Sequence, residues 1–170
     1  MPILSTMGLK KIYIAPASTT AGVMPSNGSA WLDLGDVYKD TCTLRDDDVE
    51  QTVHESETSS KKITVSGEYN TSVELSLMDP DLELMARYFG GTVTSGQKRK
   101  WIRPRKPAYK EWAIKIMPEE GLMLQCSNCA ITPKFEITYS ATGICLCPMT
   151  IKFQAELEAD EDASDPTKTA

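Results

Sequence analysis

The residues best equipped for chemistry are paired cysteines: Cys126 and Cys129 form a C-x-x-C, and Cys145 and Cys147 form a C-x-C. Four thiolates are a donor set for tetrahedral zinc. Their surroundings argue for another state. LMLQCSNCAIT reads as strand with no glycine after the pair to shape a knuckle. In ICLCPMTIKF the i and i+2 side chains share a strand face but stand about 7 Å apart, too far to share an ion without a kink. Free cysteine is readily buried, so the expectation is reduced core or half-buried thiols in a reducing compartment, with no metal and no cofactor; zinc on the four is the competing reading. His54 is the only histidine, and no G-x-S-x-G elbow accompanies it, so a triad has little to build on. Asp46, Asp47 and Asp48 with Glu50 lack the spaced oxygens and glycine turn of a calcium loop and read as a solvated acidic turn. Walker and Rossmann glycines and H-E-x-x-H are missing too. The expectation is a protein that is not an enzyme and takes no small-molecule substrate.

A second chemistry is binding. QKRKWIRPRKPAYKEW sets Lys98, Arg99, Lys100, Arg103, Arg105 and Lys106 beside Trp101, Tyr109 and Trp112. Basic groups interleaved with aromatics suit single-stranded nucleic acid. The chain's pI of about 4.9 opposes that reading, because its overall field repels a polyanion. The favoured alternative is a loop or hairpin that meets acidic surfaces, either the Asp46–Asp48 turn or a neighbouring subunit.

The elements that must position these residues are mostly strands. LKKIYIA and AWLDLGDVY flank a loop-like PASTTAGVMPSNGS, and TCTL leads into the acidic run. In KITVSGEY and SVELSL the apolar residues alternate. Ile63, Val65 and Tyr69 share one face, as do Val73, Leu75 and Leu77, and YNTS between them reads as a hairpin connection. The opposite, wet face carries Thr64, Ser66, Glu68, Ser72, Glu74 and Ser76. Five further strands are expected near 98–103, 111–117, 123–132, 134–139 and 144–156. No fixed-period repeat is found. The pattern is mainly β, a β-sandwich or barrel-like domain with one flanking helix.

At 170 residues the chain fits one domain. Apolar runs are too short to span a bilayer, and Lys10 with Lys11 breaks the N-terminal run a secretory signal needs. No membrane partner is expected. The formal charge is -6, of which the six acids and one lysine of 154–170 contribute -5. The expected division is a β-rich domain over 1–157 and an acidic, mobile tail over 158–170.

SLMDPDLELMARYFGG is the one plain helix. Asp79 reads as N-cap, Pro80 as N1, Asp81 and Glu83 as first-turn acids, Arg87 as a last-turn base and Gly90 as the stop. Leu82, Met85, Ala86 and Phe89 give it an apolar face.

ETSSKKITVSGEYNTSVELSLMDPDLELMARYFGGT resembles the central block of tail tube (major tail) proteins of long-tailed bacteriophages and prophages, in which a polar strand, a hairpin and such a helix follow in that order. ITPKFEITYSATGICLCPMTIKF is similar to their C-terminal strands. The resemblance implies a structural protein of the virion: a β-sandwich with one outer helix, six copies closing into a homohexameric ring, and rings stacking into a hollow tube that conducts DNA. It also implies a tape-measure protein and transiting DNA in the lumen, assembly in the bacterial host cytoplasm, and a final place in the virion tail. The wet face from Thr64 to Ser76 would then line the lumen, where hydroxyls and carboxylates give DNA little to hold; its competing reading is ordinary outer surface. Asp46–Asp48 and the basic segment from Lys98 to Lys106 would help rings stack, although neither that segment nor the cysteine pairs are accounted for by the resemblance. The inner tube of a contractile injection or type VI secretion apparatus is the alternative within this architecture. A small single-stranded nucleic-acid-binding β-domain is the alternative outside it.

Overall fold

Alternating β-branched and apolar residues build nearly half of the described residues into antiparallel strands. The computed structural model describes residues 7–162 and 164–168. In chain order the elements are β1 (Met7–Pro16), β2 (Leu32–Asp33), β3 (Thr43–Asp46), β4 (Gln51–Glu55), β5 (Lys62–Ser66), β6 (Thr71–Met78), α1 (Leu82–Phe89), β7 (Thr92–Thr94), β8 (Lys100–Ile102), β9 (Glu111–Glu120), β10 (Met123–Pro133), β11 (Glu136–Ile137), β12 (Cys145–Phe153) and β13 (Leu157–Asp160). One large antiparallel sheet runs β2-β1-β9-β10-β12-β6-β3, with β11 also on β12 and β13 also on β10; β4-β5 and β7-β8 form separate ribbons. The class is mainly β with one α-helix among the described residues, as the strand pattern leads one to expect.

Both faces of the sheet are dry over part of their area. On one, Ile12, Ile14, Ile114, Val73, Leu75, Leu77, Met149 and Ile151 pack beneath α1 and the segment around Leu34. Each such side chain, fully buried, contributes about 1.5–3 kcal/mol. On the other, Tyr13, Ala15, Ala113, Met117 and Met123 are covered by Trp31. The Trp31 indole N–H donates to Ser26 O at 3.1 Å, and the Lys115 ammonium lies 4.8 Å from its ring centroid.

The helix begins later than its sequence signals suggest. Asp81, not Asp79, is the N-cap, its carboxylate accepting from the Leu84 amide at 2.7 Å. Asp79 instead prolongs the strand before it, its amide donating to Cys145 O at 3.1 Å. Pro80 disfavours the α conformation at Asp79, and the chain turns there with φ 39. The packed face is correspondingly Leu84, Met85, Tyr88 and Phe89 rather than the Leu82, Met85, Ala86 and Phe89 stripe. Tyr88 fixes the helix, its buried hydroxyl donating to Leu34 O at 2.8 Å.

The hairpin expected through Tyr69–Ser72 is corrected. β5 pairs with β4, Gln51 opposite Ser66 through Glu55 opposite Lys62, while β6 lies between β12 and β3. The chain reverses at 56–61, where the Ser56 amide donates to Lys61 O at 3.0 Å and the Ser56 and Ser59 hydroxyls accept from the Thr58 and Lys61 amides. These serines offer the turn local partners that Tyr69–Ser72 does not. Residues 67–70 instead run on into β6.

The acidic end is corrected too. Beyond Phe153 the chain bulges, the Gln154 amide donating to Asn128 O at 2.9 Å, then continues as β13 with Leu157 opposite Cys126 and Asp160 opposite Met123. Pro166 is fully buried and its carbonyl accepts from the Gly28 amide at 2.9 Å. Edge pairing overrides the polar composition that suggested a tail without fold. Ala163, Thr169 and Ala170 lie outside the described residues.

Candidate assembly surfaces

The sequence-predicted residues fall into three groups, two of them on the surface. The first is a ribbon that leaves the sheet. β3 and β6 pair with Asp46 opposite Thr71, and β4 and β5 resume the same register with Gln51 opposite Ser66. All ten residues of β4 and β5 are exposed. Ile63 and Val65 remain 51% and 54% exposed and Tyr69 79%, so the alternation seen in the sequence is real but covers nothing within the chain. At the neck of this arm, Asp46, Asp47, Asp48, Glu50 and Glu68 are all exposed. The Thr71 hydroxyl donates to the Asp46 carboxylate. None of the five carboxylates meets a cation within 4 Å among the described residues.

The wet face divides at the same neck. The Asp47 amide donates to Asn70 O at 3.0 Å, whereas the Gly67 amide donates to Glu50 O at 2.8 Å. Bonded pairs thus fall on odd-numbered residues of the first strand at the base and on even-numbered ones in the arm. In an antiparallel ribbon bonded and non-bonded pairs alternate along with the two faces. Ser72, Glu74 and Ser76 therefore share one face of β6, with Ser72 and Ser76 half-buried, while Thr64, Ser66 and Glu68 project from the exposed arm on the other side of the phase change. The six do not make one continuous face.

The second surface is the basic segment. Lys98 and Arg99 lie in the β7–β8 turn and Lys100 opens β8, after which 103–110 straps across the end of α1. Arg99 pairs with Glu83 of the helix at 2.8 Å, and the Trp101 indole donates to Gly90 O at 3.0 Å. Phe89 and Phe135 stack at 4.5 Å, and the Arg103 guanidinium lies 5.1 Å from the first ring centroid and 5.7 Å from the second. Beside them opens a recess of about 330 Å³ walled by Tyr88, Phe89, Pro104, Tyr109, Ile131 and Pro133 and bordered by Arg103, Arg105 and Lys110. The sequence reading missed Lys110 and Ile131 as partners of this segment; only tertiary packing brings β10 to the strap.

The third group, the cysteines, is dispersed. Cys129 stands opposite Phe153, six residues from Cys147 on β12, which is roughly 20 Å at strand rise. The four therefore do not converge on one ion, and no group of three His, Cys, Asp or Glu placed for a metal occurs among the described residues. Cys126, Cys129 and Cys147 are buried and Cys145 half-buried. Burial pushes the Cys147 thiol up to about 11, and raises Cys126 and Cys129 as well. His54 sits opposite Ile63 on the exposed arm.

No protein-family model and no curated protein matches the sequence. Among solved structures, the chain is similar to one in the tail of an empty GTA particle with C6 symmetry, at TM-score 0.46 and 14% identity, covering 87% of this chain and 94% of that one. It is similar to a chain of the anti-feeding prophage tube-terminating cap at TM-score 0.46 and 12% identity, over 94% and 95% of the two. A chain of the PVC sheath-tube complex, an extracellular contractile injection system in its extended state, matches at TM-score 0.44 and 11% identity, over 92% and 94%.

Proposed function

We propose that this chain is a structural protomer of a tail tube, whose copies close into hexameric rings that stack into a hollow conduit. The observation that carries the reading is the β4–β5 arm. A two-stranded ribbon exposed on both faces is marginal by itself in water, and its uncovered Ile63, Val65 and Tyr69 require another surface, which repeated copies supply. Among the described residues β3 pairs only with β6 and β13 only with β10, and these one-sided strands support the same reading, since joining edges between copies removes templates for unwanted pairing. The sequence resemblance to tail tube proteins of long-tailed phages supplies the particular assembly. On that reading the role is mechanical rather than catalytic, the lumen holds a tape-measure protein and then DNA, and the protomers assemble in the host cytoplasm before residing in the tail.

The test is electron microscopy and sedimentation of purified protein, unmodified and with 48–69 replaced by a two-residue Asn-Gly turn. The base register, Asp46 opposite Thr71, stays available to the shortened chain. Rings or tubes from the full chain and monomers from the shortened one are expected, with matching circular dichroism apart from the lost arm. Monomers from the full chain at every concentration and salt, with or without preformed tube ends as seeds, would sink the proposal.

A further inference from the structure

The charge of this protein is segregated along its sequence, and the fold turns that segregation into two separate surfaces. Seven of the 18 Lys and Arg and none of the 24 Asp and Glu lie between Gln97 and Lys110. The remainder therefore holds 11 cations against 24 acids, a formal -13, while 97–110, the strap together with the β7–β8 turn and β8 before it, holds +7. An acidic chain with one strongly basic strap has a second copy of itself as a ready partner.

The strap is built to receive something. Arg103 lies over the Phe89–Phe135 stack, an exposed planar cation set against aromatic faces. Arg105 and Lys110 complete the rim of the 330 Å³ recess. None of the three meets a carboxylate within 4 Å among the described residues. The walls beneath them are aromatic and aliphatic, so the fitting ligand is anionic and partly apolar.

We propose that this recess receives the acidic neck of the hairpin arm, Asp47, Asp48 and Glu50 with Glu68 and Tyr69, from a second copy of the chain. This deepens the tube reading by naming the two surfaces that meet between protomers. The neck offers carboxylates that meet no cation within 4 Å among the described residues and an aromatic ring 79% exposed, on an element that stands clear of the sheet. The C-terminal acids are the poorer candidate: Leu157–Asp160 is already bound as a strand, and the Asp165 carboxylate already accepts from Thr167. Two different surfaces meeting head to tail make a heterologous contact, which propagates from copy to copy and does not close on a dimer. The same cations and rings could instead take single-stranded nucleic acid, which the test separates.

The test is charge exchange in the full chain. One variant carries Arg105→Glu, Lys106→Glu and Lys110→Glu; another carries Asp47→Lys, Asp48→Lys and Glu50→Lys; a third carries all six. Arg103 is left in place because it packs against Phe89 and Phe135, and removing it would disturb their stack. Self-association is read by sedimentation velocity between about 50 and 500 mM salt, where screening falls to a few ångströms, and folding by near-ultraviolet circular dichroism. Each single-surface variant is expected to weaken association at least about tenfold at low salt. An equimolar mixture of the two, and the six-fold exchange, are expected to regain most of it. Folded variants that associate like the original chain, or an exchange that recovers nothing, overturn the proposal and leave the tube reading standing. Charge-dependent association that never yields rings overturns the tube reading and leaves the contact standing. A strap variant that loses only oligonucleotide binding assigns the recess to nucleic acid and overturns the proposal.

Discussion

Cys147 stands opposite Leu77 in the centre of the sheet, and its burial has a consequence that can be titrated. Removing water from a thiol penalises the thiolate, so its pKa rises to about 11, against about 8.5 in an unfolded chain. Cys126 and Cys129 shift in the same direction for the same reason. For a group whose folded value lies above its unfolded value, the associated stability is intact below the unfolded pKa and is lost as pH rises through the folded one. Urea midpoints are therefore expected to hold steady up to about pH 8.5 and to fall between there and about pH 11. Cys147→Ala should flatten part of that fall while lowering the plateau through its cavity. A thiol reagent at pH 8 should label the native chain slowly and all five cysteines rapidly in urea. Fast, complete native labelling would contradict the burial. The burial was legible because free cysteine is a residue type that packs readily into cores; the dispersal of the four thiols along β10 and β12 was not, because it depends on which strands become neighbours.

At the scale of elements, local chemistry predicted identity better than pairing. The helix was announced by its acids, Arg87 and Gly90; its start moved because Pro80 constrains the residue before it, and its packed face moved with it. The strands Val73–Leu77 and Ile63–Val65 were also legible, yet nothing in YNTS distinguishes a reversal from an extended neck, and the real reversal at Ser56–Lys61 shows itself only in serine hydroxyls. The phase change between Asp47 and Gly67, which splits the wet face, leaves no mark in composition at all. The β7–β8 hairpin that delivers the basic strap depends on Gly91, at φ 92, where a β-carbon would sit 2.2 Å from Ile102 O. Gly91→Ala must therefore push the hairpin away from the helix end. A loss of roughly 2–4 kcal/mol is expected by urea denaturation, from strain at positive φ plus the clash. Trp101 fluorescence should shift red as its bond to Gly90 O lengthens. An unchanged midpoint and spectrum would show the contact to be looser than drawn.

For the molecule as a whole, the acidic end decides how a nine-stranded sheet is finished. Composition marked 158–170 as solvated, and nine of its residues are charged or hydroxylated in a way no core would choose. What composition does not register is that β12 stops opposite Cys129, leaving Met123–Cys126 of β10 with one free side. β13 fills that side by backbone hydrogen bonds, which are indifferent to side-chain polarity, and the Gln125 side chain adds a 2.8 Å bond to Glu158. Pro166 then secures the loop that carries Trp31, through its carbonyl on the Gly28 amide. A chain ending at Glu156 is therefore expected to lose about 2–4 kcal/mol, from a few ladder bonds at about 1 kcal/mol each plus a loosened cover over Met117 and Met123. It should also expose an unpaired strand edge and aggregate on warming. Truncation after Asp162 keeps β13 and should lose only the Pro166 contact, so its midpoint should fall between those of the full and shorter chains. If both truncations melt like the full chain, the end is the free tail that its composition suggests and the pairing with β10 is not maintained in solution.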